Sequence, residues 1–443
     1  MVSRRILIAS LFVVFFCGLA FFYSGTNRGG LLEPDISPRP AYAAPSTTFK
    51  IYLPLILKNS GPTNPLWRFG VARARRPFTD YVPADIAAMR FGWYVDFGTT
   101  SNAPQPYGIQ YVPTVRVKQW KVLSSNPVTW TSGGCVTCTY AMPYTYTVSP
   151  GLSQIAAMAS ARPGTLWLIG NEIERVDWDW NGYQDEILPE VYAVAYRDIY
   201  NAIKSADPSA QVAIGAVIQA TPLRLKYLTR VWDSYFQTYS QTMPVDVWNV
   251  HAYVLQEKSC QYYPDSECYG AEVPAGLTET AGMAYTIPDN KNFSLVAQQI
   301  NALRAWMQAR GQQSKPLIIT EAGVLYSDWL CDPSGFYCYP GTFSPTQVRD
   351  SMMYPAFDYF LNHTDVSLGY PADGNRLVQR WNWYSHDDDS GGSNQNFNGT
   401  LFYSGLSSNP QGIAPLGTYW KQYVQPLPAG SIMGSQKVRM RSR

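Results

Sequence analysis

The stretch Thr165-Leu-Trp-Leu-Ile-Gly-Asn-Glu172 decides how this chain reads. Leu166 to Ile169 is an unbroken apolar run, too short for an amphipathic helix, and it stops at a neutral amide followed by a carboxylate. Such a run reads as a strand buried on both faces, as in a parallel sheet. Asn171 and Glu172 then stand at its carboxyl end. In α/β proteins ligands are met at that end, so a carboxylate there is placed for chemistry rather than solubility. Lys315-Pro-Leu-Ile-Ile-Thr-Glu321-Ala-Gly repeats the design far downstream. Two strand-end glutamates in one chain point to a paired-carboxylate site.

Outward from these two strands runs a strand-then-helix rhythm. Arg68 to Ala72, Ala88 to Val95 and Ile109 to Val117 are the first three strands, and a helix over Ser153 to Ala161 precedes the Asn171-Glu172 strand as number four. Pro189 suits a first helical position, with Tyr192, Ala195, Tyr196, Ile199 and Ile203 at helical spacing and Asp207-Pro208 as the stop. Gln211 to Val217 is strand five, and Val245 to Tyr253, carrying His251, is strand six. Ser294 caps a helix striped by Val296, Ile300, Leu303 and Met307 and closed by Gly311. Strand seven ends at Glu321, a helix covers Val348 to Leu361, and Leu377 to Tyr384 is strand eight. Eight such units predict an α/β fold, a closed (β/α)8 TIM barrel rather than an open doubly wound sheet.

Composition sets outer bounds. The chain has 443 residues, 46% hydrophobic and 15% charged, enough apolar material for a large core. A formal net charge of +2 with evenly scattered Lys and Arg offers no basic stripe, which excludes nucleic acid as a partner. The 14 Trp and 32 Tyr present flat apolar faces with polar edges, a match for sugar rings, though a large aromatic core accounts for them equally well.

Arg4 and Arg5 precede 18 uncharged residues from Ile6 to Tyr23, a signal peptide or a short membrane anchor. Either form makes the rest of the chain secreted or extracytoplasmic, tethered through residues 6–23 if the segment is kept. Residues 24–60 read as a linker, 61–428 as the barrel, and 429–443 as a basic tail. Beyond Cys17 six cysteines remain: Cys135 and Cys138, Cys260 and Cys268, Cys331 and Cys338. In an oxidising compartment these close pairs are three loop-stapling disulfides. Cys135-Val-Thr-Cys138 also has zinc-ligand spacing, but it lacks a second close pair or a nearby His. No metal is expected.

The strand-end residues together carry a resemblance. Asn171-Glu172 on strand four, His251-Ala-Tyr253 on strand six, Glu321 on strand seven and Trp383-Tyr384 on strand eight resemble the shared pattern of the clan A retaining glycoside hydrolases. Trp93-Tyr94, Tyr111-Val-Pro113 and Thr320-Glu321 are loosely similar to the Asl1-like glycosyl hydrolase catalytic-core group, with families 5 and 39 as looser relatives. The similarity spans roughly residues 67–425, including Pro415-Leu-Gly417 and Trp420. It departs at Ile173 and Glu174, where the Asl1-like group often has Pro-Asp.

The resemblance implies Glu172 as acid/base and Glu321 as nucleophile of an O-glycosyl hydrolase needing neither metal nor organic cofactor. It implies Asn171 at the sugar 2-hydroxyl, Tyr253 as donor to Glu321, His251 tuning Glu172 or holding the sugar, and Trp383 as the flat wall beneath the sugar. Trp178, Trp180 and Tyr183 are candidates for neighbouring subsites. The substrate class is a β-linked poly- or oligosaccharide, with an endo-β-glucanase first, an exo-acting β-xylosidase-like enzyme next, and a non-catalytic glycan-binding barrel as the alternative of another class. The expected electrostatics raise the acid through its negative neighbour and keep the nucleophile ionised through hydrogen bonds.

Singly, each residue has a plainer account. An Asn-Glu pair at a strand end is usually a helix cap with a first-turn acid, a lone His a satisfied core group, and a lone Trp core. Glu174, Asp177 and Asp179 compete for the acid's role but lack strand-end placement. Asp387-Asp388-Asp389 reads as a solvated loop, with calcium as the rival. Asn292, Asn362 and Asn398 head glycosylation sequons.

Overall fold

Eight strands form the frame: β1 (Phe69–Ala72), β2 (Trp93–Val95), β3 (Gln110–Tyr111, resumed beyond Pro113 as Thr114–Gln119), β4 (Leu166–Asn171), β5 (Gln211–Ala216), β6 (Trp248–Ala252), β7 (Leu317–Gly323) and β8 (Arg380–Tyr384). The computed structural model describes residues 64–125, 128–131, 138–142, 145–176, 184–262, 270–326, 343–389, 399–406 and 409–428. Neighbouring strands pair in parallel from β1 to β5 and from β6 to β8, and β8 returns to pair with β1. A parallel bridge between Ala213 and Val247, with Ile214 N donating to Val247 O at 3.2 Å, joins β5 to β6. The ring is therefore closed.

Alternation along each strand divides the apolar residues into two cores. On β4, Leu166 and Leu168 join Trp93, Val112, Ala213, Val247 and Ile318 inside the ring. Trp167 and Ile169 face outward into the larger core beneath the helices. All six β4 residues are buried, as the unbroken apolar run predicts.

The surrounding helices are α1 (Pro83–Met89), α2 (Leu152–Ala161), α3 (Pro189–Ala206), α4 (Pro222–Tyr239), α5 (Phe293–Gln308), α6 (Tyr354–Asn362, entered through Pro345–Val348 and a wider turn at Arg349–Met353) and α7 (Pro415–Val424). Proline opens α1, α3, α4 and α7, where its missing N–H would have had no partner. On α3 the predicted stripe Tyr192, Ala195, Tyr196, Ile199 and Ile203 is buried.

Several expectations are corrected. The strand expected from Ala88 starts only at Trp93, because Pro83–Met89 is helical and Arg90 ends it at φ 53°. Between β2 and β3 stands only the short turn Pro106–Gly108 in place of a helix. Helix α4 had no counterpart in the sequence reading. The cap of α5 is Asn292, whose Oδ1 accepts from Ser294 N at 3.1 Å, rather than Ser294.

The segments 1–23, 24–60 and 429–443 lie outside the described residues, as do Cys135, Cys268, Cys331, Cys338 and Asn398. Among the described residues no helix is long and apolar enough to cross a membrane.

Candidate active site

The end of β4 is bent so that its last carboxylate turns into the barrel mouth. Gly170 has φ +103°, and a Cβ there would stand 2.4 Å from Ile173 Cγ2, so glycine is required at that bend. Glu172 itself has φ 49°, a left-handed conformation costly for a long side chain and characteristic of functional sites. Asp185 braces the bend, accepting from Asn171 N at 2.9 Å while its own N–H donates to Asn171 O at 3.0 Å.

On the facing side, His251 of β6 and Glu321 of β7 are direct cross-strand neighbours. The β6–β7 register shifts between Val250 and His251, and the β7–β8 register between Ile319 and Ala322. Such irregularities add local twist and re-aim side chains. Here they flank both functional groups.

The three groups meet. One ligand-type atom from each of Glu172, His251 and Glu321 lies within 4.8 Å of the others, and all three residues are buried. His251 Nδ1 is 3.2 Å from Glu172 Oε1, and its Nε2 is 3.5 Å from Glu321 Oε1. The Tyr253 hydroxyl donates to Glu321 Oε2 at 2.7 Å. Arg175 Nη1 donates to Glu172 Oε2 at 3.1 Å, while its Nη2 reaches Gly270 O at 3.2 Å. Sequence reasoning missed Arg175, although it follows Glu172 by one helical-turn spacing. The trio could hold a divalent ion, but Arg175 and Tyr253 already bring hydrogens to the carboxylates, and the imidazole offers one nitrogen to each acid rather than both to one centre.

The electrostatics run opposite to expectation. Burial raises Glu172, but the Arg175 charge and the His251 hydrogen bond and charge outweigh it and bring the carboxyl down to about 2. Burial raises Glu321 to about 7, helped by the Glu172 charge and opposed by His251 and Tyr253. His251 is raised: burial pulls it down, and the carboxylates of Glu321 and Glu172 more than offset that. The same surroundings therefore push the two carboxyls in opposite directions, Glu172 down and Glu321 up.

Trp383 is not the wall of the mouth. Its ring lies in the outer core against Phe357 of α6, centroids 5.9 Å apart, and its indole N–H donates to Gly399 O at 2.6 Å. The alternation of β8 turns Tyr384 inward instead, where it packs beside Tyr253 and 6.2 Å from the Phe97 ring. The Tyr384 hydroxyl donates to Asp388, which also pairs with Arg75.

Asp387, Asp388 and Asp389 correct a second expectation, since all three are buried. Asp387 accepts from Arg75 N at 2.9 Å, Arg76 N at 2.6 Å and Tyr81 OH at 2.9 Å, and Asp389 accepts from Ser404 N at 2.8 Å. Surrounded by donors, the trio is an anchor for the β1–α1 loop rather than a solvated loop or a calcium site. Glu174 is likewise set apart from the mouth, accepting from Ile218 N at 2.9 Å and Arg224 Nε at 3.3 Å. Trp178, Trp180, Tyr183, Asp177 and Asp179 lie outside the described residues.

No family model matches this chain, and neither does any curated protein. Solved structures do. A family 128 endo-β-1,3-glucanase from Amycolatopsis mediterranei, in complex with laminaripentaose, is 15% identical over 80% of this chain and 98% of that one, with a TM-score of 0.40. A family 39 β-xylosidase from Caulobacter crescentus is 14% identical over 84% and 74%, TM-score 0.43. A family 128 oligosaccharide-binding protein from Trichoderma gamsii is 12% identical over 82% and 97%, TM-score 0.40. Likenesses this distant assign neither activity nor substrate, and the site's own geometry carries the functional reading.

Proposed function

We propose that this chain is an exported retaining glycoside hydrolase of the clan A kind, acting on a β-linked poly- or oligosaccharide, with an endo-β-glucanase as the leading form. One observation carries the reading. Carboxylates from the ends of β4 and β7 approach within 4.8 Å at a single barrel mouth. Retaining enzymes hold their two carboxyls about 5–5.5 Å apart, whereas inverting ones need about 6.5–9.5 Å to admit a water.

In this reading Glu172 protonates the leaving oxygen and Glu321 attacks the anomeric carbon. The glycosyl ester formed is then hydrolysed by a water that Glu172 deprotonates. Tyr253 supports the ionised form of Glu321 through its 2.7 Å hydrogen bond. Tyr384 and Phe97 offer aromatic surface beside the reacting pair, and Asn171 is assigned to the sugar 2-hydroxyl. The chemistry needs no metal or organic cofactor. Export through residues 6–23 and three local disulfides belong to the same reading.

The test incubates purified wild type and Glu321→Gln with β-glucans, xylan and mannan, and follows new reducing ends and their anomeric configuration by NMR. Products of retained configuration from wild type alone support the reading. Single xylose units released from chain ends would move it to the exo-acting β-xylosidase-like form. Glycan binding by both proteins without cleavage would make the barrel a binding module.

A further inference from the structure

We infer that the β-linked glycan this chain cleaves is an acidic one, its uronate carboxylates met at the barrel mouth by the guanidiniums of Arg73, Arg75, Arg116 and Arg175. The inference rests on the glycosidase reading and narrows its substrate class. Each arginine owes its place to a strand end. Arg73 directly follows Ala72, which pairs with Tyr384 of β8 and Val95 of β2. Arg116 follows Val115, which pairs with Ile169, so it stands level with the Gly170 bend of β4. Arg175 hydrogen-bonds the acid itself at 3.1 Å. Arg75 is tied to the mouth by Asp388, which also accepts from the Tyr384 hydroxyl.

In all four ion pairs the carboxylate stands behind and the arginine in front. Arg73 pairs with Asp96 at 2.8 Å, Arg75 with Asp388 at 2.6 Å, Arg116 with Asp185 at 2.8 Å and Arg175 with Glu172 at 3.1 Å. The arginine side chains are 22%, 25%, 21% and 26% exposed, their partners only 8%, 7%, 0% and 5%. An anion arriving from solvent therefore meets the guanidinium first, already held in place by the acid beneath it. A buried acid that needs only a counter-ion is served in this molecule by a fully buried one, as Arg224 serves Glu174 and Glu257. The guanidinium fork matches a carboxylate in shape and charge, whereas a neutral hydroxyl gains only a single weaker bond. The four also lie on both sides of the bond to be cut. Arg175 adjoins the acid, and so the sugar that leaves. Arg73 and Arg75 adjoin Tyr384, which packs beside Tyr253, the donor to Glu321, and so the sugar that stays. Arg116 donates to Phe97 O at 3.4 Å, and the Phe97 ring is 6.2 Å from Tyr384. Cations on both sides suit a glycan whose acidic units recur along the chain.

The experiment uses soluble oligosaccharides of β-1,3-glucan, β-1,4-glucan and xylan, each beside a glucuronate-bearing counterpart, the glucans oxidised at C6 and the xylan carrying glucuronic acid branches. For the backbone that wild type cleaves, kcat/KM should favour the acidic member by about 10-fold or more, the scale of one charge-assisted hydrogen bond. That preference should shrink as salt rises from about 0.01 M to about 1 M, which shortens the screening length from about 30 Å to about 3 Å. Arg73→Gln and Arg175→Gln should each lower the acidic-to-neutral ratio about 5-fold or more. Equal kcat/KM within every pair would overturn the inference, as would a preference that salt and both variants leave untouched. Binding to Glu321→Gln, measured by calorimetry, needs neither turnover nor an arginine variant that folds. The acidic member should bind it about 10-fold tighter, and the inference falls if it binds no tighter. Cleavage of none of these glycans by wild type would overturn the glycosidase reading, and the binding ratio would still decide whether the mouth selects acidic sugars.

Discussion

Tyr253 and Glu321 show how much one hydrogen bond is asked to do. The phenol donates to a carboxylate that burial alone would keep neutral, so it stabilises the ionised form the nucleophile needs. Tyr253→Phe should lower kcat by about 10- to 100-fold, roughly the worth of one charge-assisted donor, and move the acidic limb of the pH–rate profile upward. Stabilities should respond as well. Glu321 is raised in the folded state to about 7, so the folded protein holds a proton that the unfolded chain has lost, and stability falls as pH climbs from about 4.5 to 7. Glu321→Gln removes that penalty. It should be more stable than wild type at pH 7 by on the order of 1 kcal/mol or more, and so unfold at a higher temperature, with the gap closing below about pH 4. Thermal melts of both proteins across that range check the sign. The residue-scale candidates Glu172, His251, Tyr253 and Glu321 were legible because each ends an apolar strand. Arg175 was not, since an arginine in a loop carries no signal until its partner's orientation is known.

At the scale of the element, a single step along β8 separates core from cleft. Trp383 and Tyr384 are adjacent aromatics, and either suits a sugar platform by composition. The pleat places Trp383 against Phe357 and Tyr384 beside Tyr253. Trp383→Leu should therefore lower stability by about 2–4 kcal/mol with KM unchanged, whereas Tyr384→Ala should raise KM about 10-fold or more, read from denaturant melts and steady-state kinetics together. On β1, Gly70 is crossed closely by its neighbours, and a Cβ there would fall 2.0 Å from Asn382 Oδ1 and 2.4 Å from Trp93 Nε1. Strand elements were readable from apolar runs. Helix α4 was not, because its buried face begins with Arg224 and its N-cap, Thr221, makes no side-chain cap bond. Arg224 is buried because Glu174 and Glu257 meet it there, a tertiary fact.

Across the whole molecule, the ring is held shut by more than strand pairing. Asp387 ties the segment after β8 to the loop after β1, its carboxylate gathering the Arg75 and Arg76 amides and the Tyr81 hydroxyl. Burial raises this carboxyl, and His386 beside it with those amides outweighs burial and holds it at about 2. A depressed carboxyl contributes stability above its unfolded value near 4, and that contribution is lost as pH falls toward 2. Asp387→Asn should accordingly cost about 3 kcal/mol at pH 6 and progressively less below pH 4, measured by denaturant unfolding at each pH. By itself the amino-acid order determined the barrel class, the eight strands in their succession, and the two glutamates that end β4 and β7, because a doubly buried strand must be apolar throughout and stands out against polar loops. Only the folded molecule decided which face each β8 aromatic takes, that Asp387 to Asp389 are interior anchors, and which glutamate's carboxyl is raised and which lowered. Those outcomes depend on pleat, register shifts and burial among groups remote along the chain, and no local pattern encodes the distance between them.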